Sequence, residues 1–291
     1  MSARGDFKSP GSFFKLRKKL PEGRTLKQIQ NHYIVEKALA QKLKQSTRGE
    51  RTKLYSVMYD ELFSKVPDHP RLVHRSDSAA AQARNAAKFL VVQKYINKST
   101  IFAEFAPGDC AFSLYMCRHV KQVYAIDISD QSTPKAPIPD NFKLILYDGY
   151  HLATEKRSLD VVFSDQFIEH LCLDDVEYHF RLVKDILKPG GLYIFRTPHA
   201  FWGPHDISAF FSDEPEGFHI KEWTYRELAD VLRSTGYGSW SACRRIHGQY
   251  QEVSLRRLIA SEALLRGLPK NLRRFLVRAF VPKQLCIIGI A

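Results

Sequence analysis

The chain has 291 residues, 44% of them hydrophobic, which suits a globular protein with one sizeable core and an extension. No apolar run reaches the roughly 18–20 residues of a membrane-spanning helix. The basic first 20 residues lack the apolar segment of a secretory signal. The five cysteines show neither zinc-ligand spacing nor a disulfide pattern, so we expect a reducing, cytoplasmic setting.

The net charge of +13 is unevenly distributed along the chain. Residues 1–53 carry +10, residues 54–243 carry −5, and residues 244–291 carry +8. The basic ends are suited to peripheral contact with an anionic membrane or a partner, or they are simply solvated. Nucleic acid is not favoured, because no recognised nucleic-acid-binding module is present.

The N-terminal third of the chain divides into two predicted parts. Residues 1–24 are basic and poor in apolar residues, which predicts a flexible segment. Residues 25–97 place apolar residues at helical spacing and predict helices over 26–45, 51–66 and 79–96, the third capped by Asp77 or Ser78. Tyr55 and Tyr59 are the residues of this helical segment that we single out for a role in binding.

A strand, a small-residue turn and a helix start follow at residues 101–116. The apolar strand 101–105 leads into Ala106-Pro107-Gly108, and a helix is predicted from Ala111. Such a turn forms a cradle for an adenosine-type ligand. A second strand ends on Asp127, 19 positions after Gly108 (127 − 108), where a carboxylate accepts hydrogen bonds from ribose hydroxyls.

Further predicted strands also end on polar residues. Strand 142–147 ends on Asp148-Gly149, and strand 159–164 ends on Asp165-Gln166. Strands 192–195, 240–244 and 285–290 complete the sheet. Because open α/β sheets bind ligands at the carboxyl ends of their strands, these polar residues predict one ligand site.

These pieces together resemble the class I S-adenosylmethionine-dependent methyltransferases over roughly residues 85–240. The matching motifs are Glu104-Phe-Ala-Pro-Gly108-Asp-Cys110, Tyr124-Ala-Ile-Asp127, Asp148-Gly149, Ser164-Asp-Gln-Phe-Ile-Glu169-His170-Leu171 and Leu187-Lys-Pro-Gly-Gly-Leu192. The resemblance implies a doubly wound, Rossmann-like α/β sheet of seven mostly parallel strands in residues 98–291, with the last strand antiparallel. It also implies that residues 25–97 form a helical cap over the cofactor.

The resemblance further implies S-adenosyl-L-methionine as the cofactor and assigns residues to its parts. Glu104 and Gln166 would lie near the methionine portion, Asp127 at the ribose, and Asp148 with Gly149 by the adenine. The full implied set of cofactor-binding residues is Glu104, Ala106, Pro107, Gly108, Asp127, Ile128, Asp148, Gly149 and Gln166. The sequence departs from the family at Ala106 and Cys110, where glycines are usual.

The long loop after the fifth strand carries the candidate catalytic residues. If the acceptor is a hydroxyl group, a general base assists the reaction, and histidine suits that role near neutral pH. We predict His205 or His199 as this base, whereas His170 is interpreted as a structural residue at a helix start. No metal is expected, because His199, His205 and Asp206 match no zinc signature. A basic helical insertion over residues 255–280 is predicted to be a lid or, second, a membrane contact.

The predicted function is methyl transfer from S-adenosylmethionine to an O, N or C atom of a small-molecule, sugar or lipid-like acceptor. Two alternatives remain open. A degenerate methyltransferase fold would act as a binding or scaffold protein that docks a partner through its basic ends. A nicotinamide-dependent oxidoreductase would use a similar sheet, but the turn lacks that class's three-glycine fingerprint.

Overall fold

The computed structural model describes residues 16–73, 78–132 and 137–291, without the side chains of Ser78, Lys270, Asn271 and Arg274. A single eight-stranded sheet runs through it in the order β3-β2-β1-β4-β5-β8-β6-β7. The strands are β1 Ile101–Phe105, β2 Gln122–Asp127, β3 Phe142–Leu146, β4 Leu159–Asp165, β5 Leu187–Pro198, β6 Ser239–Ile246, β7 Gln249–Val253 and β8 Gln284–Ile290. Strands β1 to β5 are parallel, and β8 is antiparallel to β5 and β6. The predicted doubly wound fold is confirmed.

The predicted count of seven strands is wrong by one, because β7 extends the sheet edge. It pairs antiparallel with β6 through a two-residue turn in which His247 and Gly248 both have positive φ, 48° and 84°. That backbone matches the right-handed twist of a hairpin. All five residues of β7 are exposed or half-buried. A strand without a buried face gives little hydrophobic signal, which explains why the sequence does not predict it.

Four helices precede the first strand, and five more lie among the strands from β1 onward in the described residues. They are α1 Leu26–Gln45, α2 Arg48–Lys65, α3 Pro70–Val73, α4 Ser78–Val92, α5 Ala111–Met116, α6 Leu173–Ile186, α7 Tyr225–Ser234, α8 Leu255–Arg266 and α9 Lys270–Phe280. Helix α1 has the predicted bounds, and Thr25 and Gln28 form a capping box at its start. Helix α3 is absent from the sequence-based prediction. Asp77, one of the two proposed caps of α4, lies outside the described residues.

Two apolar cores cover the two faces of the sheet. One face packs against α6 and α7 through Phe180, Leu228 and neighbouring side chains. The other packs against α4 and α5 through Val91 and Phe112. This arrangement leaves the carboxyl ends of the parallel strands open for a site.

Helices α1 to α4, here called the N-terminal cap, pack near the carboxyl ends of the strands. Leu39 and Met58 share a buried cluster with Cys172 and Phe218 of the sheet domain. Buried Arg51 pairs with Asp174 and, at 3.2 Å, with Asp175, both in the first turn of α6. Part of the predicted flexible segment is also packed here, since the backbone N–H of Arg17 donates to the carbonyl of Phe210. Residues 1–15 lie outside the described residues.

Helices α8 and α9 form the predicted insertion before the last strand. Buried Glu262 of α8 accepts hydrogen bonds from the backbone N–H groups of Tyr225 (2.6 Å) and Arg226 (3.1 Å) at the start of α7. A carboxylate at a helix N-terminus is a favourable electrostatic contact. On the outer face, Leu264 and Phe275 are each 76% exposed. Of the helices within the described ranges, none is long and apolar enough to cross a membrane.

Candidate active site

A cavity of about 410 Å³ lies between the carboxyl ends of the parallel strands and the N-terminal cap. Its volume falls within the range of small-molecule and cofactor sites. The sheet side of the wall includes Ala106, Pro107, Gly108, Asp127, Ile128, Gly149 and Gln166, seven of the nine residues predicted to bind the cofactor. The cap side includes Tyr55, Met58, Tyr59, Arg71, Arg84 and Lys88.

The turn after β1 keeps a glycine-type backbone although two of its glycines are replaced. Ala106, Gly108 and Cys110 have φ values of 53°, 60° and 59°. Left-handed backbone costs an L-residue roughly 1–2 kcal/mol, and only glycine adopts it freely. Ala106 and Cys110 therefore retain the shape of the cradle at an energetic cost, and the backbone of the turn still lines the cavity.

Asp127, at the end of β2, joins the turn to the cavity. Its Oδ2 accepts a hydrogen bond from the backbone N–H of Gly108 at 3.2 Å, and its Oδ1 accepts one from Ile128 at 2.7 Å. Burial raises the pKa of Asp127, against the lowering effect of these backbone hydrogen bonds. The carboxylate lines the cavity, where it can accept hydrogen bonds from a pair of ribose hydroxyls.

Asp148 and Gly149, which follow β3, have different roles. Asp148 accepts hydrogen bonds from the backbone N–H groups of Tyr150 (2.8 Å) and His151 (2.6 Å) and pairs with the His151 ring. Although its partial burial opposes ionisation, hydrogen bonds from His151 and Tyr150 lower the pKa of Asp148 to about 2. Asp148 thus shapes this turn, while Gly149 lines the cavity. Gly149 has φ 93°, and a Cβ there would lie 3.1 Å from the Tyr55 ring.

Glu104 is buried behind the turn and is absent from the cavity wall. It accepts hydrogen bonds from Ser113 (2.5 Å) and Lys88 (3.2 Å), and Lys88 also lies 3.6 Å from Asp165. Asp165 in turn forms a two-point ion pair with Arg196 at 2.9 and 2.7 Å. Burial opposes the charge of Lys88, yet Glu104 and Asp165 raise its pKa. In this structure Glu104 holds Lys88 at the cavity.

Two polar atoms at the cavity show whether its lining suits a polar cofactor. The Nε2 of Gln166 and the hydroxyl of Tyr55 are buried and have no hydrogen-bond partner in the described part of the chain. Gln166 also has φ 57°, an unusual backbone for a residue with a side chain. Unpaired buried donors cost roughly 1–3 kcal/mol each. Together with the cradle and Asp127, they fit a polar, adenosine-type ligand.

The two predicted general bases do not lie at the cavity, and their environments explain why. His199 is fully buried: its Nδ1 accepts from the backbone N–H of Phe201 (3.0 Å) and its Nε2 donates to Glu262 (2.9 Å). His205 Nε2 donates to the carbonyl of His199 at 3.2 Å, and burial lowers its pKa. Both imidazoles are used in holding a packed loop, so the structure gives neither a place beside a substrate.

His170 and His179, not the predicted pair, are the histidines of the cavity wall. The Nδ1 of His170 donates to the carbonyl of Phe218 at 2.9 Å, and burial lowers its pKa to about 3. His179 bonds the hydroxyl of Tyr193 at 2.9 Å. The sequence signal for His170 is its place soon after the carboxyl end of β4, where ligand-binding residues gather, although its position at a helix start favours a structural role.

Sequence reasoning also missed two arginines on the cap side. Arg71 lies in α3 with its guanidinium 5.5 Å from the centre of the Tyr59 ring, and Arg84 lies in α4. Neither forms an ion pair with a carboxylate of the described residues. They place positive charge at the cavity wall, where Arg71 is near enough to Asp127 to act against the rise in its pKa.

The comparisons with known proteins agree with this geometry. Residues 103–195 match a family model described as a methyltransferase domain. No curated protein sequence matches the chain. Among solved structures, a phosphoethanolamine N-methyltransferase from Haemonchus contortus superposes with a TM-score of 0.54 at 14% identity, covering 84% of this chain and 50% of that one.

Two further structures extend the comparison. A 1,6-didemethyltoxoflavin-N1-methyltransferase from Burkholderia thailandensis gives a TM-score of 0.52 at 14% identity, covering 84% of this chain and 90% of that one. A methyltransferase from Archaeoglobus fulgidus that depends on S-adenosylmethionine gives 0.50 at 16%, covering 72% and 94%. At these identities the structures show a shared fold.

The open sheet, the cradle after β1 and Asp127 after β2 define a nucleoside-cofactor enzyme of the doubly wound class. With the family match, residues 103–195 form a methyltransferase domain, and the fold and site are those of a class I methyltransferase with S-adenosylmethionine as cofactor.

Proposed function

We propose that this methyltransferase acts on a small-molecule acceptor that carries an anionic group and is sugar- or lipid-like in its remainder. The observation that carries the proposal is the two-sided cavity. Its sheet side offers Asp127 and the cradle, and its cap side offers Arg71 and Arg84 beside Tyr55 and Tyr59. The cofactor is assigned to the first side and the acceptor to the second.

Charge and shape support this class of acceptor. Arginine binds phosphate and carboxylate groups through a planar fork of N–H donors. The aromatic rings of Tyr55 and Tyr59 and the side chain of Met58 supply apolar surface beside those cations. A cavity of this volume between sheet and cap suits a small acceptor.

Methyl transfer requires mainly that the acceptor be aligned with the methyl group and that water be excluded. S-adenosylmethionine supplies an activated methyl group on its sulfonium when bound. The chain's own residues then hold the acceptor in line and keep the site dry, which are the contributions that geometry can make. The cap helices close the cavity from one side, and Tyr55 packs against Gly149 to narrow it.

The first experiment is calorimetric titration of the purified full chain with S-adenosylhomocysteine. Asp127→Asn removes the charged acceptor for the ribose, so we expect about 10- to 100-fold weaker binding. Asp130→Asn is the matched control, because Asp130 lies in the same loop and, among the described residues, hydrogen-bonds Ser132. Equal affinity of the two variants would contradict the assigned ribose contact. Failure of the wild-type chain to bind would favour the scaffold alternative.

The acceptor class is tested by mass spectrometry of a panel of phosphorylated, carboxylated and neutral compounds incubated with enzyme and cofactor. We expect the gain of one methyl group on anionic members of the panel. Arg71→Gln should raise the KM for such an acceptor about tenfold or more and leave S-adenosylhomocysteine affinity unchanged. Preference for neutral compounds, unaffected by Arg71→Gln, would overturn the anionic assignment.

A further inference from the structure

Three side chains next to the cavity form a cluster outside the set of residues assigned to the cofactor. Glu169, His170 and His219 each offer one ligand atom within 4.8 Å of the other two. Glu169 and His170 lie in the short turn after β4, and His219 comes from the packed loop before α7. We propose that these three residues form a divalent-metal site of two imidazoles and one carboxylate.

The unpaired atom of Glu169 is the first argument. Glu169 is fully buried, and its Oε2 accepts a hydrogen bond from the hydroxyl of Thr197 at 2.9 Å. Its Oε1 is buried without any hydrogen-bond partner among the described residues. A buried carboxylate oxygen without a donor is costly, and a cation beside it removes that cost.

The outer hydrogen bonds of the two histidines are the second argument. His170 donates its Nδ1–H to the carbonyl of Phe218, and His219 pairs through Nδ1 with the carboxylate of Glu222 at 2.9 Å. Metal-ligating histidines usually bind a carbonyl or a carboxylate in this way through their other nitrogen. Both imidazoles are therefore oriented with Nε2 as the atom left for a metal.

A second histidine–carboxylate cluster in the cap shows the contrast. There Glu36 accepts hydrogen bonds from His32 Nε2 (2.7 Å) and from the backbone N–H of Phe218 (3.3 Å). His32 Nδ1 bonds Arg24 at 3.1 Å, and His69 Nδ1 accepts from the backbone of Arg71. These polar atoms satisfy one another, so this closed cluster needs no ion. The Glu169 cluster lacks such internal closure.

The position of His170 suggests what the metal does, and this step rests on the proposed function. His170 lines the cavity close to Gln166, so a metal bound there would border the acceptor. Three protein ligands leave a coordination position open. An acceptor hydroxyl in that position would lose its proton to solvent more readily, because a bound cation lowers its pKa. Two imidazoles and a carboxylate favour Zn²⁺, Fe²⁺ or Co²⁺ over Mg²⁺.

The test is titration of EDTA-treated, dialysed full-length protein with Co²⁺, followed by calorimetry and by the visible absorption of the bound ion. We expect one Co²⁺ per chain, and at least about 100-fold weaker binding in Glu169→Gln and in His219→Ala. Glu222→Gln should weaken binding about 10- to 100-fold through the orientation of His219. His69→Gln, in the closed cluster, is the matched control and should bind Co²⁺ like the wild type.

Each variant is also titrated with S-adenosylhomocysteine, which reports on folding and on the cofactor site separately. Wild-type protein that binds S-adenosylhomocysteine but no Co²⁺ would overturn the metal site and leave the methyltransferase assignment intact. Co²⁺ binding that persists in Glu169→Gln would also overturn it. Added azide should shift the Co²⁺ absorption if a coordination position is open, and an unchanged spectrum would contradict the catalytic role.

Discussion

The sheet carries two helical additions, and they differ in what they contribute. The N-terminal cap lines the cavity with side chains of α2, α3 and α4, whereas no lining residue of the described chain comes from α8 or α9. The prediction that the insertion forms a lid over the site is therefore wrong. Both additions are nevertheless anchored by a buried charged residue, Arg51 in the cap and Glu262 in the insertion. A buried charged anchor therefore does not indicate which of the two additions lines the cavity.

The largest effect is expected from breaking the anchor of the cap. Arg51→Ala removes the ion-pair partner of Asp174 and the buried one of the two arginines at Asp175, which should cost about 3 kcal/mol of unfolding free energy. Because Asp175 and the cap both border the cavity, S-adenosylhomocysteine affinity should also fall on the order of tenfold, or about 1.4 kcal/mol.

Urea denaturation and calorimetry measure the two effects on Arg51→Ala. Arg48→Ala is the control, because Arg48 also contacts Asp175, at 3.0 Å, but has a side chain that is 47% exposed. Its free energy of unfolding should therefore fall by less than about 1 kcal/mol. Full cofactor affinity in folded Arg51→Ala would show that the cap is not part of the binding site.

A smaller effect, confined to stability, is expected from the insertion. Glu262→Gln removes a charged acceptor from His199, Tyr225 and Arg226 and should cost about 2–3 kcal/mol. S-adenosylhomocysteine affinity should remain within about twofold of the wild-type value, since α8 is absent from the cavity wall. Urea denaturation and calorimetry again measure the two effects. A tenfold loss of S-adenosylhomocysteine affinity in Glu262→Gln would show that the insertion, like the cap, contributes to the cofactor site.

The smallest effect is expected in the turn beneath the cap. Ala106→Gly relieves a left-handed backbone and should stabilise the protein by about 0.5–1 kcal/mol, after the greater freedom of glycine in the unfolded chain is allowed for. Ala87→Gly, on an exposed position within α4, should instead destabilise by about 1 kcal/mol. Thermal unfolding compares the stabilities of the two variants. A loss of stability in Ala106→Gly would show that the left-handed backbone at Ala106 is not strained.

The fold is predictable from the sequence because local and long-range signals agree. The apolar stripe of α1 begins at a capping box, and β2 and β4 are largely apolar runs that end at Asp127 and Asp165. Where the local signal points the wrong way, prediction fails. Pro70 reads as a helix stop in the sequence, but proline is also favoured in the first turn of a helix, and here it begins α3 and places Arg71 at the cavity.

The cofactor side of the site is more predictable than the acceptor side. Its residues follow consecutive strands at fixed spacing, so the sequence places Gly108, Asp127 and Gly149 together. The metal cluster depends on His219, which is 49 positions after His170 (219 − 170), and no local pattern relates the two. The structure places His199 and His205 away from the cavity, because the polar loop that is expected to be exposed is packed and His199 is fully buried. The predicted membrane or partner contact of the basic ends stays a prediction.

One residue, Phe218, connects the closed cluster of the cap with the proposed metal site. The N–H of Phe218 donates to Glu36 of α1, and its carbonyl accepts from His170. Seating of α1 and orientation of the His170 ring are therefore thermodynamically coupled. Coupling of this kind is reciprocal. If a bound metal raises the affinity for an acceptor that binds against the cap by some factor, the acceptor raises the affinity for the metal by the same factor. The chain thus has the means to make acceptor and cation bind cooperatively.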